Sequence, residues 1–180
     1  SLWERLGGHK KAGENIVIGF IDGGLTSSHP SFSDRVDSDG YPTNNPNGKL
    51  VYKPLKEWTG KTGSGEGGWQ TNNKVIGGRY YNDTWGFDLS GDDAIKSLFG
   101  DREFNSPAAT YGHLNFVAGI ASGNYNTKTG VDVLPVVSGI APKSRISVYK
   151  AYWQDIAFTT DLISAINGAV NDKVDILNYS

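Results

Sequence analysis

The chain of 180 residues is long enough for one domain with a real core and too short to need two. Its 17 basic and 19 acidic side chains leave a formal charge of −2, no basic tract interleaves with aromatics, and no apolar run approaches a membrane span, so nucleic acid and a membrane span are both excluded as readings. Cysteine is absent, which rules out disulfides, thiolate metal sites and a cysteine nucleophile.

Residues 1–14 open with a short amphipathic piece (Leu2, Trp3, Leu6) that stops at Gly7-Gly8. The start is neither a signal peptide nor a natural initiator, and a mature or trimmed N-terminus is expected. From Ile16 to Ile21 six mostly apolar residues run without polar alternation, the pattern of a central parallel strand buried on both faces. Asp22, Gly23 and Gly24 follow. An acid at the carboxyl end of such a strand sits where open α/β sheets keep their working groups, although an Asp also simply begins turns. His29 precedes proline and is read as a loop residue fixing its turn, with a catalytic base as the alternative.

Between about residues 34 and 107 the chain becomes polar and turn-rich, as in a functional or inserted loop region. Leu50–Lys53 and Lys74–Tyr81 are expected as strands within it. Asp37, Asp39, Asp92, Asp93 and Asp101 fall in solvated turns, and Asp37-Ser38-Asp39-Gly40 lacks the spacing and terminal glutamate of an EF-hand loop. No cofactor is expected; structural calcium stays open with its ligands unassigned.

A helix is expected to open just after His113, with Phe116, Val117 and Ile120 on its apolar face and Gly123 as its stop. A glycine-rich link and Val131–Ile140 come next, then a strand at Arg145–Ala151. Thr159 or Thr160 caps a helix running through Asn171, with Leu162, Ile163, Ile166, Ala169 and Val170 on one face. A last strand spans Val174–Tyr179. Alternating strands and helices predict a parallel sheet with right-handed crossovers. With no thiol present, Asp22 and His113 suggest the logic of a serine-hydrolase triad, in which a carboxylate orients an imidazole that deprotonates a hydroxyl. The order Asp, His, Ser is one known solution to that geometry.

Several stretches together resemble one family. Val17-Ile18-Gly19-Phe20-Ile21-Asp22-Gly23-Gly24-Leu25 with His29-Pro30-x-Phe32 resembles the aspartate motif of subtilisin-like serine proteases. Gly112-His113-x-x-x-Val117-Ala118-Gly119 resembles their histidine motif, and Val137–Lys150 is similar to their Gly-Val-Ala-Pro segment and following strand. Asp161–Ile166 and Val174–Ser180 resemble the next helix and strand. Lys74–Tyr81 and the long interval from Asp22 to His113 are similar to the larger cucumisin-like or lactocepin-like members.

The resemblance implies an α/β, doubly wound parallel sheet, incomplete at its C-terminal side, with residues 1–180 as the N-terminal part of a peptidase domain carrying a loop-rich insertion at about 34–107. It implies a secreted endopeptidase acting on peptides or proteins, with catalytic Asp22 and His113 here and the nucleophilic Ser and oxyanion Asn in the remaining C-terminal part of the domain. Asn82-Asp83-Thr84 is a glycosylation sequon in keeping with secretion. Ser180 has no nucleophile motif around it. The chain departs from the family at Gly23, where Thr or Ser is usual, and at Leu114-Asn115-Phe116, where Gly-Thr-His is usual. Phe116 is absorbed as core packing, whereas Leu114 puts a branched side chain beside the imidazole. Those departures suit an alternative, a catalytically inactive domain of the same fold used for binding or scaffolding. An unrelated doubly wound domain with a fortuitous Asp and His is disfavoured by the ordered string of motifs.

Overall fold

The computed structural model describes residues 2–5, 7–85 and 103–180. Its centre is a parallel sheet of β1 (Val17–Asp22), β4 (Val75–Tyr80), β7 (Arg145–Lys150) and β8 (Ile176–Tyr179) in the order β4-β7-β1-β8. All six residues of β1 and of β7 are buried; β1 shows this as an apolar run, whereas β7 buries Arg145, Ser147 and Lys150 among its apolar residues. Two short antiparallel pairs complete the strands: β2 (Arg35–Val36) with β3 (Lys49–Leu50), and β5 (Thr127–Val131) with β6 (Leu134–Val137). The predicted strand at Leu50–Lys53 is thus shorter and begins a residue earlier, and Val131–Ile140 holds part of a hairpin that its sequence did not announce.

Among the described residues three α-helices accompany the strands: α1 (Leu2–Arg5), α2 (His113–Ser122) and α3 (Thr159–Asn171). Because successive strand residues face opposite ways, Ile18, Phe20, Ile146 and Val148 pack with Leu114 and Ala118 of α2, and Ile21 and Tyr149 pack with Ala165 and Ala169 of α3. The sheet therefore carries one helix on each face. Arg79 of β4 clamps Asp172 with two hydrogen bonds of 2.8 and 2.6 Å, and the Tyr149 hydroxyl donates to the same carboxylate at 3.0 Å, anchoring the end of α3 to the sheet.

The expected faces hold only in part: Val117 on α2 and Leu162 and Ala169 on α3 pack inward, but the other expected positions do not. On α2 the buried positions are Leu114, Ala118 and Ser122, and Phe116 is 68% exposed with Ile120 at 52%; Phe116 is not core packing. On α3 they are Asp161, Ala165 and Ala169, while Ile163, Ile166 and Val170 are exposed. Each inner stripe repeats every four residues; beyond Leu114 and Asp161 it is built of alanine and serine, which lets the helix approach the sheet closely. The helix-capping expectation is also corrected: the cap position of α3 is Phe158, without a side-chain bond, and the Thr160 hydroxyl instead meets that of Thr84 at 2.5 Å. Of the acidic turn residues, Asp37 accepts the backbone N–H groups of Asp39 and Tyr41 at 3.0 and 2.8 Å, an Asx turn, while Asp92, Asp93 and Asp101 lie outside the described residues, as does Leu6.

Candidate active site

Asp22 ends β1 at the carboxyl edge of the sheet, in register with Lys150. Its carbonyl accepts the N–H groups of Ala151 and Tyr152, at 3.0 and 3.3 Å, so the strand end is held from β7. One carboxylate oxygen accepts the Gly23 N–H at 2.6 Å, and the other lies 2.8 Å from Nδ1 of His113. The Asp22 side chain is buried and that of His113 is 46% exposed. Since Nδ1 faces the carboxylate, Nε2 on the far side of the ring points away from it. The two residues border a cleft of about 250 Å3 that Tyr111, Tyr152 and Ser180 also line. The Ser180 hydroxyl donates to Asn178 Oδ1 at 3.2 Å.

Backbone and side-chain staples bring Asp22 and His113 together from 91 positions apart. Gly24 has φ +105°, and a Cβ there would lie 2.4 Å from the Ala108 carbonyl oxygen, so only glycine allows the loop after Asp22 to press on the segment leading to α2. Leu25 then bonds across to that segment through Pro107 and Ala109. One turn on, Asn115 closes a two-bond ring with Thr26: its Oδ1 accepts the Thr26 N–H at 2.8 Å and its amide donates to the Thr26 hydroxyl at 2.9 Å. The residue that breaks the family pattern therefore positions the helix that carries His113. Leu114, fully buried among Ile18, Phe20 and Leu25, points into the core and away from the cleft. At Gly23 a Cβ would meet nothing closer than 3.8 Å, so a larger residue fits there.

A buried ion pair lies beneath the cleft. Lys150 and Glu103 meet at 2.7 Å with both side chains almost inaccessible, and the ammonium also donates to the carbonyls of Phe104 and Ala108 at 3.2 Å. Burial holds Lys150 below the ordinary lysine range, against the opposing pull of Glu103. Glu103 additionally accepts from the Thr110 hydroxyl and the Gln154 N–H, at 2.7 and 3.1 Å, and so ties the cleft floor to both neighbouring loops. Sequence reasoning missed this pair. The signal is that Lys150 shares its strand face with Ile146 and Val148, positions that alternate into the core.

His29 does not join the cleft residues. Its Nδ1 accepts the Ser31 N–H at 3.2 Å and so caps the short turn Pro30–Phe32, while burial lowers its affinity for a proton. Among the described residues no three His, Asp or Glu side chains gather as a metal site, and no helix is long and apolar enough to cross a membrane.

A family model described as "Subtilase family" matches residues 13–180. The chain belongs to the subtilase family. It is 35% identical to the Arabidopsis thaliana subtilisin-like protease SBT2.3 over 99% of this chain and 20% of that protein. It is 36% identical to SBT2.2 of the same plant, over 99% of this chain and 19% of that protein. This subtilase chain thus spans about a fifth of the length of the curated relatives it matches. A solved structure of the Clostridium perfringens CspB protease aligns with a TM-score of 0.46 at 20% identity, covering 94% of this chain and 30% of that one.

Proposed function

We propose that the chain supplies the aspartate and histidine of a secreted serine endopeptidase whose remaining C-terminal part supplies the nucleophilic serine and the oxyanion asparagine. The observation that carries this reading is the 2.8 Å contact of Asp22 with Nδ1 of His113, with Nε2 left for a partner. In that role Asp22 keeps the proton on Nδ1 and stabilises the imidazolium that forms later. Nε2 of His113 takes the serine hydroxyl proton as the oxygen bonds to the scissile carbonyl carbon, then returns it to the departing amine. Water repeats the cycle on the acyl-enzyme and restores the serine. No cofactor enters these steps.

The same reading gives residues 1–180 the part of an N-terminal segment of a peptidase domain, with about 34–107 as its insertion. The rest of the domain covers what this segment leaves open: β8 is the last strand of its sheet, Ile176 and Tyr179 on it are exposed, and Phe116, Ile120, Ile163, Ile166 and Val170 project outward. Relatives about five times longer have the chain to do so. Secretion rests on the family. The sequon adds little to it, because the Asn82 amide donates to Asn105 at 2.9 Å and Thr84 donates to Asp161 at 2.9 Å.

Covalent labelling by a serine-directed fluorophosphonate tests the proposal. The intact protein is expected to label and to lose labelling in His113→Ala, and the isolated 180 residues are expected neither to label nor to cleave peptides. Labelling of a serine within residues 1–180 that His113→Ala abolishes would place the nucleophile in the wrong part of the chain. The second reading, an inactive domain, draws on Gly23 and residues 114–116. It predicts a silent intact protein that gains kcat/KM per folded molecule when Gly-Thr-His is restored at 114–116. The inward direction of Leu114 and the Asn115–Thr26 ring favour activity.

A further inference from the structure

A second cavity lies at the opposite end of the sheet, where β1 and β7 begin with Val17 and Arg145. At a strand rise of about 3.3 Å per residue it is roughly 17 Å from Asp22. Its volume is about 580 Å3, within the range of small-ligand sites. Its wall is Tyr52, only 7% exposed, whose hydroxyl is held by Asn124 and the Pro142 carbonyl. Three cations crowd the Tyr52 ring: Lys143 Nζ at 4.8 Å, Arg145 Cζ at 5.1 Å and Lys74 Nζ at 5.2 Å from its centroid. Lys10 lines the same cavity and His9 stacks on Tyr125 at its mouth, with ring centroids 3.7 Å apart.

These charges are poorly matched. Lys74 donates to the carbonyls of Pro142 and Ser144 at 2.9 and 2.6 Å, and Arg145 to those of Asn73 and Lys53, so their partners are neutral. Among the described residues no carboxylate lies within 4.0 Å of Lys74, Lys143 or Arg145. Glu14 lines the same cavity and acts on Lys143, and Asp34 acts on Arg145, both without an ion-pair contact, so the cations outnumber the carboxylates there. Burial first, then mutual repulsion with Lys143 and Arg145, holds Lys74 well below the ordinary lysine range. An unmatched positive charge in a partly desolvated cavity is costly, and an anion relieves that cost.

We propose that this cavity is a binding site for a small multivalent oxyanion, of phosphate or polycarboxylate type, seated against Tyr52 between Lys10, Lys143 and Arg145. The site stabilises the fold from the pole of the sheet opposite Asp22 and takes no part in bond cleavage. It does not depend on the peptidase reading.

The test is the melting temperature of the intact protein titrated with inorganic phosphate, pyrophosphate or citrate against chloride at constant ionic strength. At least one of the three is expected to raise Tm saturably, by about 3 °C or more at a hundred times its midpoint concentration. The phosphate and citrate arms separate the two chemistries. Lys143→Gln with Lys10→Gln should weaken the midpoint at least about tenfold, as loss of charge-assisted contacts does, and the exposed control Lys56→Ala should leave it unchanged. If the double variant fails to fold, each single variant serves, and phosphorus NMR line broadening of inorganic phosphate reports binding directly. No saturable response to any of the three anions overturns the proposal. A response that persists unchanged in the lysine variants overturns it too, because the anions then act on the surface at large.

Discussion

The two ends of β1 and β7 handle charge in opposite ways. At the carboxyl end a buried Asp22 is matched by His113 and the Gly23 N–H, and the cleft beside it is open. At the amino end Lys74, Lys143 and Arg145 converge on one tyrosine, with Lys74 and Arg145 donating to neutral carbonyls. The difference teaches that one parallel sheet can carry a matched pair at one end, proposed for chemistry, and an unmatched cluster at the other, proposed for binding. Variants at the first end should change rate at constant stability, and variants at the second should change stability at constant rate.

Asp22→Asn gives the sharpest form of that contrast. If the proposed activity holds, kcat/KM of the intact protein should fall by about 10^4 because the wrong histidine tautomer is favoured, with Tm nearly unchanged. A fall in activity that merely follows the unfolded fraction would break the comparison. Leu114→Gly comes next, and although it adjoins His113 it should behave as a core variant. Emptying a fully buried leucine site should cost about 2–5 kcal/mol in denaturant unfolding, while kcat/KM per folded molecule holds. Asn115→Ala, which opens the ring to Thr26, should lower kcat/KM by about ten- to a hundredfold through displacement of His113. Its pH–rate profile should keep its shape, and Asn115→Asp should recover part of the loss by accepting the Thr26 N–H.

At the other end, Tyr52→Phe removes the donor that meets Asn124 and Pro142. It should cost about 1–2 kcal/mol in stability and leave kcat/KM per folded molecule as it was. The smallest effect is in alkaline titration of tyrosinate absorbance. Tyr52 is pushed above the ordinary range mainly by burial, whereas Tyr152 is pushed up to about 12 mainly by its hydrogen bond with Tyr179. Tyr179→Phe should therefore bring Tyr152 down and leave Tyr52 where it is. Because both groups hold their protons more tightly folded than unfolded, the stability they lend is complete below about pH 10 and fades as pH rises through about 12 and beyond.

Much of the sheet is legible from the sequence: β1 is buried on both faces and reads as an apolar run, and the β-branched residues of β7 and β8 mark those strands although polar residues interrupt them. Asp22 and His113 stand out in the sequence from the motifs around them, and the structure brings their side chains to 2.8 Å of one another. The helix faces are legible only in part. A periodicity argument assigns Phe116, Ile120, Ile163, Ile166 and Val170 inward, yet all five are exposed, and the inner stripes are Leu114, Ala118 and Ser122 on α2 and Asp161, Ala165 and Ala169 on α3. Asn115 reads as a departure because its partner Thr26 is 89 positions away. The cationic cavity is invisible for the same reason: Lys10, Tyr52, Lys74 and Arg145 come from four separate segments, none of them unusually basic.

The central position of β1 has a consequence for biosynthesis. Its two neighbours, β7 and β8, both lie more than 120 residues downstream of Asp22, so β1 has no sheet partner until they are made. About 120 residues must follow Asp22 before β7 begins, which at translation rates of about 5–20 residues per second takes roughly 6–25 s. Throughout that interval Ile16–Ile21 is an unpaired, β-branched apolar segment emerging from the ribosome, the kind of sequence that aggregates unless it is shielded. Nascent chains stopped before Arg145 should therefore be held by chaperones, and release should coincide with the emergence of β7.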